Sequence, residues 1–412
     1  MRRYIIFFLL LFCNISFALT VEEAVEKTLK NFPDIAIASR DIDLQQKDVD
    51  IAKGDFLPKL VLSSSYSYTN PDDSPHSSSF YNELRLSYNL FSGFYNSNKL
   101  DIAKYNLKTK ELSLNATTNL IVKNVKSAYF DALLYSRIYK FYNELYENSV
   151  KSYEFTKSKF DAGRALSIDV LKSLTEVKKY EAKKIEQKNN LINSLAILGY
   201  YTEEKYDINT ELSSDFESIE FKSYEEYVAR FEENNPDVKI YDIKVYTANK
   251  QISQSRSAFM PILDLYGAIS RNEKKSGKIE TDTNSSSAGI SLSWNLFNGF
   301  KDKNDYEKQK INYYNILDQK RKYIKDVKKE ILVIYNRLKS AEESLRYQKD
   351  LVKVAEENFR LTSEAYELGR ATLMELIKAK DELTSAKIDL MNLLNTIMQN
   401  YLSLEYYIGG KL

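Results

Sequence analysis

Residues able to do chemistry are few and scattered along this chain. It has one histidine, His76, and one cysteine, Cys13. His76 sits in a polar stretch, where a lone histidine is far more often a surface residue than a ligand. No His, Cys, Asp or Glu set has metal-ligand spacing, and no glycine-rich loop could cradle a phosphate. The pattern excludes an enzyme, and no metal or cofactor is expected. Carboxylates remain, and two stand in matching places: Asp169 and Glu375 each lie six residues past a glycine, Gly163 and Gly369. At a helix start such groups are favoured by the helix dipole alone, so their chemistry is that of fixed charge.

The surrounding composition narrows the class. Arg2 and Arg3, an apolar run from Tyr4 to Phe12 and Ser16-Phe17-Ala18 form a leader with a cleavage site after Ala18. Bulky Phe12 before Cys13 disfavours lipid attachment there. The 59 basic and 58 acidic residues are interspersed, which gives no electrostatic case for a nucleic-acid partner. Past the leader there is no cysteine, hence no disulfide. No later stretch reaches the roughly 18 apolar residues of a membrane-spanning helix. An exported chain of this kind is either soluble or enters a membrane as strands.

The positioning elements come from an internal duplication. Thr20-Val-Glu-Glu23 returns as Ser223-Tyr-Glu-Glu226, both with the pattern of a capping box. Asn235-Pro236-Asp237 repeats Phe32-Pro33-Asp34, and Phe259-Met-Pro261 repeats Phe56-Leu-Pro58, at one offset of 203. After a variable loop the offset becomes 206: Leu86-Ser-Tyr-Asn-Leu-Phe-Ser-Gly93-Phe matches Leu292-Ser-Trp-Asn-Leu-Phe-Asn-Gly299-Phe. Phe160-Asp-Ala-Gly163-Arg164 matches Tyr366-Glu-Leu-Gly369-Arg370. The expected organisation is a leader over 1–18, a first repeat over 19–198, a linker over 199–222 and a second repeat over 223–412. Each repeat reads helix, strand, strand, very long helix, helix. In the first the strands are 58–70 and 80–91, the long helix 94–161 and the last helix 165–197. In the second they are 261–272 and 286–297, 300–367 and 372–406.

The long helices carry one heptad frame. Ile121, Val125, Ala128, Ala132 and Tyr135 alternate spacings of four and three, and Val327, Ile331, Ile334, Leu338 and Ala341 repeat them. A sustained period of 3.5 means knobs-into-holes packing, over helices roughly 100 Å long at 1.5 Å per residue. The strands alternate too: Leu84, Leu86, Tyr88 and Leu90 on one face, with Glu83, Arg85, Ser87 and Asn89 on the other. Ile290, Leu292, Trp294 and Leu296 copy the pattern, and Leu60, Leu62, Tyr66, Tyr68, Leu263, Leu265 and Ile269 mark the weaker pair. A half-buried soluble sheet alternates in the same way, so a periplasmic coiled-coil adaptor or structural interaction protein is the rival reading. The export leader, and helices too long to cover these faces, favour lipid. Four strands cannot close a barrel, so a transport function requires at least three copies.

The strands opened by Pro58 and Pro261, the Asn-Leu-Phe-x-Gly-Phe junctions at Gly93 and Gly299 and the glycine-containing helix turns resemble the TolC-like outer-membrane efflux proteins. The resemblance covers the whole chain past the leader. It implies an α+β membrane protein: a homotrimer whose chains each give four strands to one β-barrel in outer-membrane lipid, continued by an α-helical coiled-coil barrel in the periplasm. It implies work with a periplasmic adaptor (membrane fusion protein) and an inner-membrane pump, in efflux or type I secretion. Asp169 and Glu375 match the family's gate acids, Tyr366 matches a gate tyrosine, and Gly163, Arg164, Gly369 and Arg370 fall on the adaptor-contacting rim. The chain departs from the pattern at Ala371, where an arginine is expected, and at Lys378, where a second acid is expected.

Overall fold

The computed structural model describes residues 18–70, 72, 75–213 and 222–410. The expected leader up to Phe17, Cys13 included, lies outside the described residues, as do Pro71 and positions 214–221 of the linker. The duplication is visible element by element. Helices α1 (Val21–Asn31) and α2 (Pro33–Gly54) precede strands β1 (Lys59–Thr69) and β2 (Ser77–Phe91), then α3 (Tyr95–Asp161) and α4 (Ser167–Thr202). Helices α5 (Tyr224–Asn234) and α6 (Pro236–Ser255), strands β3 (Ile262–Ser276) and β4 (Ile279–Ser293), α7 (Lys301–Glu367) and α8 (Leu373–Tyr407) repeat the series. Each repeat therefore opens with one helix more than the single short helix expected. Both long helices have 67 residues.

Helix ends follow their cap residues. Thr20 accepts from the Glu23 N–H while the Glu23 carboxylate accepts from Thr20, which closes a capping box on α1. Asn235 caps α6 by accepting from Asp237 and Val238, with Pro236 at the first helical position.

The chain forms two compact units, and they cut across the repeats. One holds residues 34–117 and 234–327; the other holds 1–33, 118–233 and 328–412. In the first, the strands form one antiparallel sheet in the order β1-β2-β3-β4. Pairing puts Leu60 opposite Leu86 and Leu62 opposite Leu84. Leu84 then pairs with Ile269 and Tyr88 with Leu265, and Leu265 pairs with Ile290. Because successive side chains alternate faces, the Leu84–Leu90 part of one side is an apolar band; beyond it the same side turns polar at the row Ser64–Asn82–Arg271–Asn284. The band is bare within the chain: Leu62 is 72% exposed and Leu292 67%. From Leu84 to Leu90 it runs ~20 Å along the strand at about 3.3 Å per residue. At a strand tilt of about 40° that is a rise of about 15 Å, which falls within the roughly 25 Å lipid-facing belt of outer-membrane barrels.

The second hairpin departs from expectation. Residues 273–276 and 279–285, expected as an exposed loop, are paired strand, turned by only Gly277 and Lys278. Gly277 supplies the positive φ of +59° that a two-residue turn demands at its first position. The apolar alternation ends at Ile269, so sequence periodicity lost strands that continue as Arg271, Glu273 and Asp282, joined by ion pairs at 2.9 Å. Conversely, β4 stops at Ser293 rather than 297: as a sheet edge it has no neighbour to pair Trp294–Phe297, whereas Phe91 of β2 pairs with Leu263.

The second unit is helical. Tyr129, Phe130 and Leu133 of α3 pack with Leu191, Leu195 and Leu198 of α4, Met398 and Leu402 of α8, and Ala24 of α1. The heptad frame of α7 is its buried stripe, with Ile331 and Leu338 almost fully enclosed. A polar ladder joins α3 to α8: Asp131 accepts from Asn395 at 2.8 Å and Gln399 at 3.0 Å, and Lys126 meets Glu405 at 2.9 Å.

Tyr129 ties the segment at Leu19 and the linker at Ser213 into this core. Its hydroxyl donates to the Leu19 carbonyl at 2.6 Å and lies 3.1 Å from that of Ser213. Leu19 itself bonds to Glu211 and Ser213, bridging to Leu212. Burial pushes the Tyr129 hydroxyl up to about 12 from an ordinary 10. A raised folded-state pKa gives stability that is complete below the unfolded value and lost as pH rises through the folded one. Tyr129→Phe should cost about 1–2 kcal/mol at neutral pH. In denaturant titrations the difference from wild type should shrink between pH 10 and about 12. A pH-independent difference would contradict this account of Tyr129.

Candidate functional site

The two helix turns are built alike. Gly163 donates to the Phe160 carbonyl at 2.8 Å and Arg164 to that of Lys159 at 2.8 Å; Gly369 and Arg370 repeat the bonds to Tyr366 and Ala365 at 3.0 and 2.8 Å. This is the Schellman pattern, with glycine left-handed at φ of +72° and +73°. A methyl at either glycine would meet nothing within 4 Å. The glycines are required by backbone conformation and not by space. Arg164 and Arg370 are exposed, with no side-chain partner among the described residues.

The carboxylates that follow differ in how they are held. Glu375 and Thr372 form a full capping box: the Glu375 carboxylate accepts from the Thr372 N–H at 2.7 Å and from its hydroxyl at 2.9 Å. The Thr372 backbone donor, then its hydroxyl, hold that carboxyl below the usual range. At the matching place in the first repeat stands Leu166, which has no hydroxyl. Asp169 accepts only from the Leu166 N–H, at 3.4 Å. Tyr366 is half-buried. Burial and then the Asp169 charge raise its hydroxyl pKa. The Lys159 ammonium lies 4.4 Å from the Phe155 ring and 5.7 Å from that of Tyr366. Lys378 is exposed beside Glu382 at 3.9 Å.

Sequence reading missed a second polar set a few turns further along α4 and α8. Lys179 reaches both oxygens of Asp381 at 2.7 Å, and the buried Tyr180 hydroxyl donates to Asp381 at 3.2 Å. The Lys380 ammonium sits 4.5 Å over the Tyr180 ring and is pushed down by burial. Glu176 keeps one oxygen buried without a hydrogen-bond partner among the described residues. Lys179 and Asp381 are 202 apart, off the 206 offset. The duplication that revealed the other pairs therefore could not reveal this one.

At the strand-to-helix junctions, Gly93 and Phe94 are both left-handed, at φ +61° and +66°, as are Gly299 and Phe300, at +56° and +62°. Phe94 packs edge-on against Phe91 at 5.3 Å and Phe300 against Phe297 at 5.4 Å. Aromatic packing thus helps hold a conformation that costs a non-glycine residue about 1–2 kcal/mol. Pro58 and Pro261 immediately precede β1 and β3, where a missing N–H is tolerated.

A four-strand sheet with one bare apolar face, made by a duplicated strand-and-long-helix chain, is also what comparison with known proteins finds. The sequence profile of the outer membrane efflux protein family matches residues 24–200 and 228–410. The chain belongs to that family. This outer membrane efflux protein is 20% identical over 413 residues to the outer membrane protein TolC of Salmonella enteritidis, covering 97% of this chain and 83% of TolC. Its fold is similar to the crystal structure of CusC, with a TM-score of 0.84 at 16% identity over 96% of this chain and 94% of the other. The CmeC outer membrane channel of Campylobacter jejuni gives 0.81 at 19% identity, over 95% and 85%. The chain is therefore an outer-membrane efflux channel protein, with a helical tunnel on the periplasmic side. It conducts passively and is not an enzyme, and the rival reading as a soluble periplasmic adaptor is set aside.

The junction glycines are not equivalent, and this is testable. A Cβ at Gly93 would lie 2.8 Å from Met260 Cβ and 2.9 Å from the Ser257 carbonyl, whereas at Gly299 it would meet nothing within 4 Å. Gly299→Ala should cost only the left-handed penalty, about 1 kcal/mol, and Gly93→Ala more than about 2. Thermal unfolding in detergent checks this; equal losses would mean that the close approach at Gly93 does not limit packing.

Proposed function

We propose that this chain is the outer-membrane duct of a tripartite export machine. Three copies close a twelve-strand barrel, and their helices continue it as a periplasmic tunnel. A periplasmic adaptor and an inner-membrane pump deliver cargo to it, in efflux or type I secretion. The observation that carries the reading is the apolar band, in register across four strands and ending at two unpaired edges. An open edge is not tolerated in lipid, and eight strands would leave an interior filled by side chains. Further support comes from α7, which exposes Tyr347, Val354 and Leu361 at seven-residue spacing, opposite in role to its buried frame, with Leu368 continuing the spacing just past its end. A neighbouring copy would cover that stripe by the same heptad logic.

The helix-turn end is the gate of this duct, with Asp169, Glu375 and Tyr366 gathered by three-fold symmetry. Of the two acids, Asp169 is the less committed to its own helix, and it carries more of the gating charge. Lys378, where a second acidic residue would strengthen cation binding, makes that end less sensitive to divalent ions. Gly163, Arg164, Gly369 and Arg370 form the rim that the adaptor grips; their exposure and rigid turns suit a docking edge. The linker begins later than the expected 199, since α4 continues to Thr202; its residues 203–213 belong to an equatorial collar.

In planar bilayers, D169A/E375A should conduct measurably more than wild type, with most of the increase already present in D169A. Unchanged conductance in both would remove these carboxylates from the gate. Charge reversal at the rim, R164E/R370E, should abolish chemical crosslinking to the adaptor while leaving conductance intact. Undiminished crosslinking would place the docking edge elsewhere.

A further inference from the structure

At mid-height the polar face of the sheet carries its bulk and charge on a single rib, with Lys59 and Asp264 lying toward one end of the same face and Lys274 toward the other. On β1 this face is a track of small hydroxyls at Ser63, Ser65 and Ser67, and β4 answers with Ser285 and Ser287. Between them, β2 presents Tyr81, Glu83 and Arg85 in succession. These side chains are joined end to end. The Tyr81 hydroxyl donates to Glu83 at 2.7 Å, the Arg85 Nε donates to the other Glu83 oxygen at 2.9 Å, and the Arg85 guanidinium lies 5.6 Å over the Tyr266 ring of β3. Tyr266 lies flat over Gly289, where a Cβ would come within 2.9 Å of its hydroxyl. The rib therefore folds down along the wall and does not stand out from it.

The two charges of the rib itself cancel locally, Arg85 meeting Glu83 at 2.9 Å. Glu83 is mostly covered, with 19% of its side chain exposed, while Arg85 is 47% exposed. In a narrow aqueous bore with low-dielectric walls, an uncompensated charge repeated by symmetry would focus a strong field. A paired carboxylate and guanidinium contribute only a short-range dipole.

We propose that the Glu83–Arg85 pair determines the charge selectivity of the barrel at mid-height, keeping that level of the wall neutral so that cargo of either sign passes it. The inference rests on the reading of the polar face as the water-filled lumen. It goes beyond that reading by assigning discrimination to named residues of the barrel rather than to the gate. Either partner, left alone, turns the barrel selective: Glu83 for cations, Arg85 for anions.

A thiol reporter tests this without depending on the gate. The only cysteine of the chain is Cys13, in the expected leader, so S63C introduces a single reporter, paired directly opposite Glu83. The full-length protein in outer membranes is exposed from outside to cationic and anionic methanethiosulfonate reagents, and the ratio of their modification rates reads the local potential. With the rib intact the ratio should match that of a free thiol in solution. Adding E83Q should lower the cationic-to-anionic ratio severalfold, R85Q should raise it severalfold, and E83Q/R85Q should return it to the starting value. Restoration by the double variant is an outcome that mere loss of structure would not produce. A reactive thiol whose ratio ignores all three changes would overturn the proposal while sparing the lumen reading. A thiol unreactive in every variant would overturn both.

Discussion

Backbone polar groups cannot be left unpaired in hydrocarbon, and this constraint organises the molecule. Strands β1 and β4 each end the sheet with a row of amide and carbonyl groups facing no neighbour in the chain. In water such an edge is an aggregation hazard; in lipid each unpaired group costs several kcal/mol. Neither edge is blunted by a proline or an inward charge in mid-strand. The sheet is one segment of a closed surface, and duplication is the economical way to make it: two hairpins with one register and one apolar side.

The helices meet the opposite requirement. Each long helix must follow its strand through a sharp turn and then continue for 67 residues, about 100 Å. The turn is made by the successive left-handed Gly-Phe pairs at 93–94 and 299–300, each braced by an aromatic contact. The run is kept in register by the heptad frame, which buries Ile331, Ile334 and Leu338 on α7 and Val125, Ala128 and Ala132 on α3. After the long helices both repeats reverse through the same Schellman turn, so differences there are confined to side chains. Thr372 against Leu166 is the clearest: one hydroxyl decides whether the following carboxylate is engaged in capping its own helix.

Much of this was legible in the sequence because duplication prints each rule twice. The turns, the junctions and the long helices lie within two residues of where Gly163, Gly369, Gly93 and Gly299 place them. The polar ends of β3 and β4 were not legible. Beyond Ile269 the apolar alternation stops, although backbone pairing continues through Ser276, and composition alone makes paired polar strand look like loop. The end of β4 failed for the reverse reason: Trp294 and Leu296 keep the alternation, but an edge offers them no partner. The α4–α8 cluster around Tyr180 and Asp381 was hidden because it joins positions that the repeat does not align. The Glu83–Arg85 rib was visible as residues but not as a rib, since its meaning comes from the serines facing it on β1 and β4.

The central claim is that this sheet closes only by association of three chains in the outer membrane. Native mass spectrometry of the protein extracted from outer membranes in mild detergent tests it directly. The account predicts one dominant species of three copies, with no stable monomer surviving extraction. A soluble monomer recovered from the periplasm, with its apolar band covered by some other part of its own chain, would contradict it.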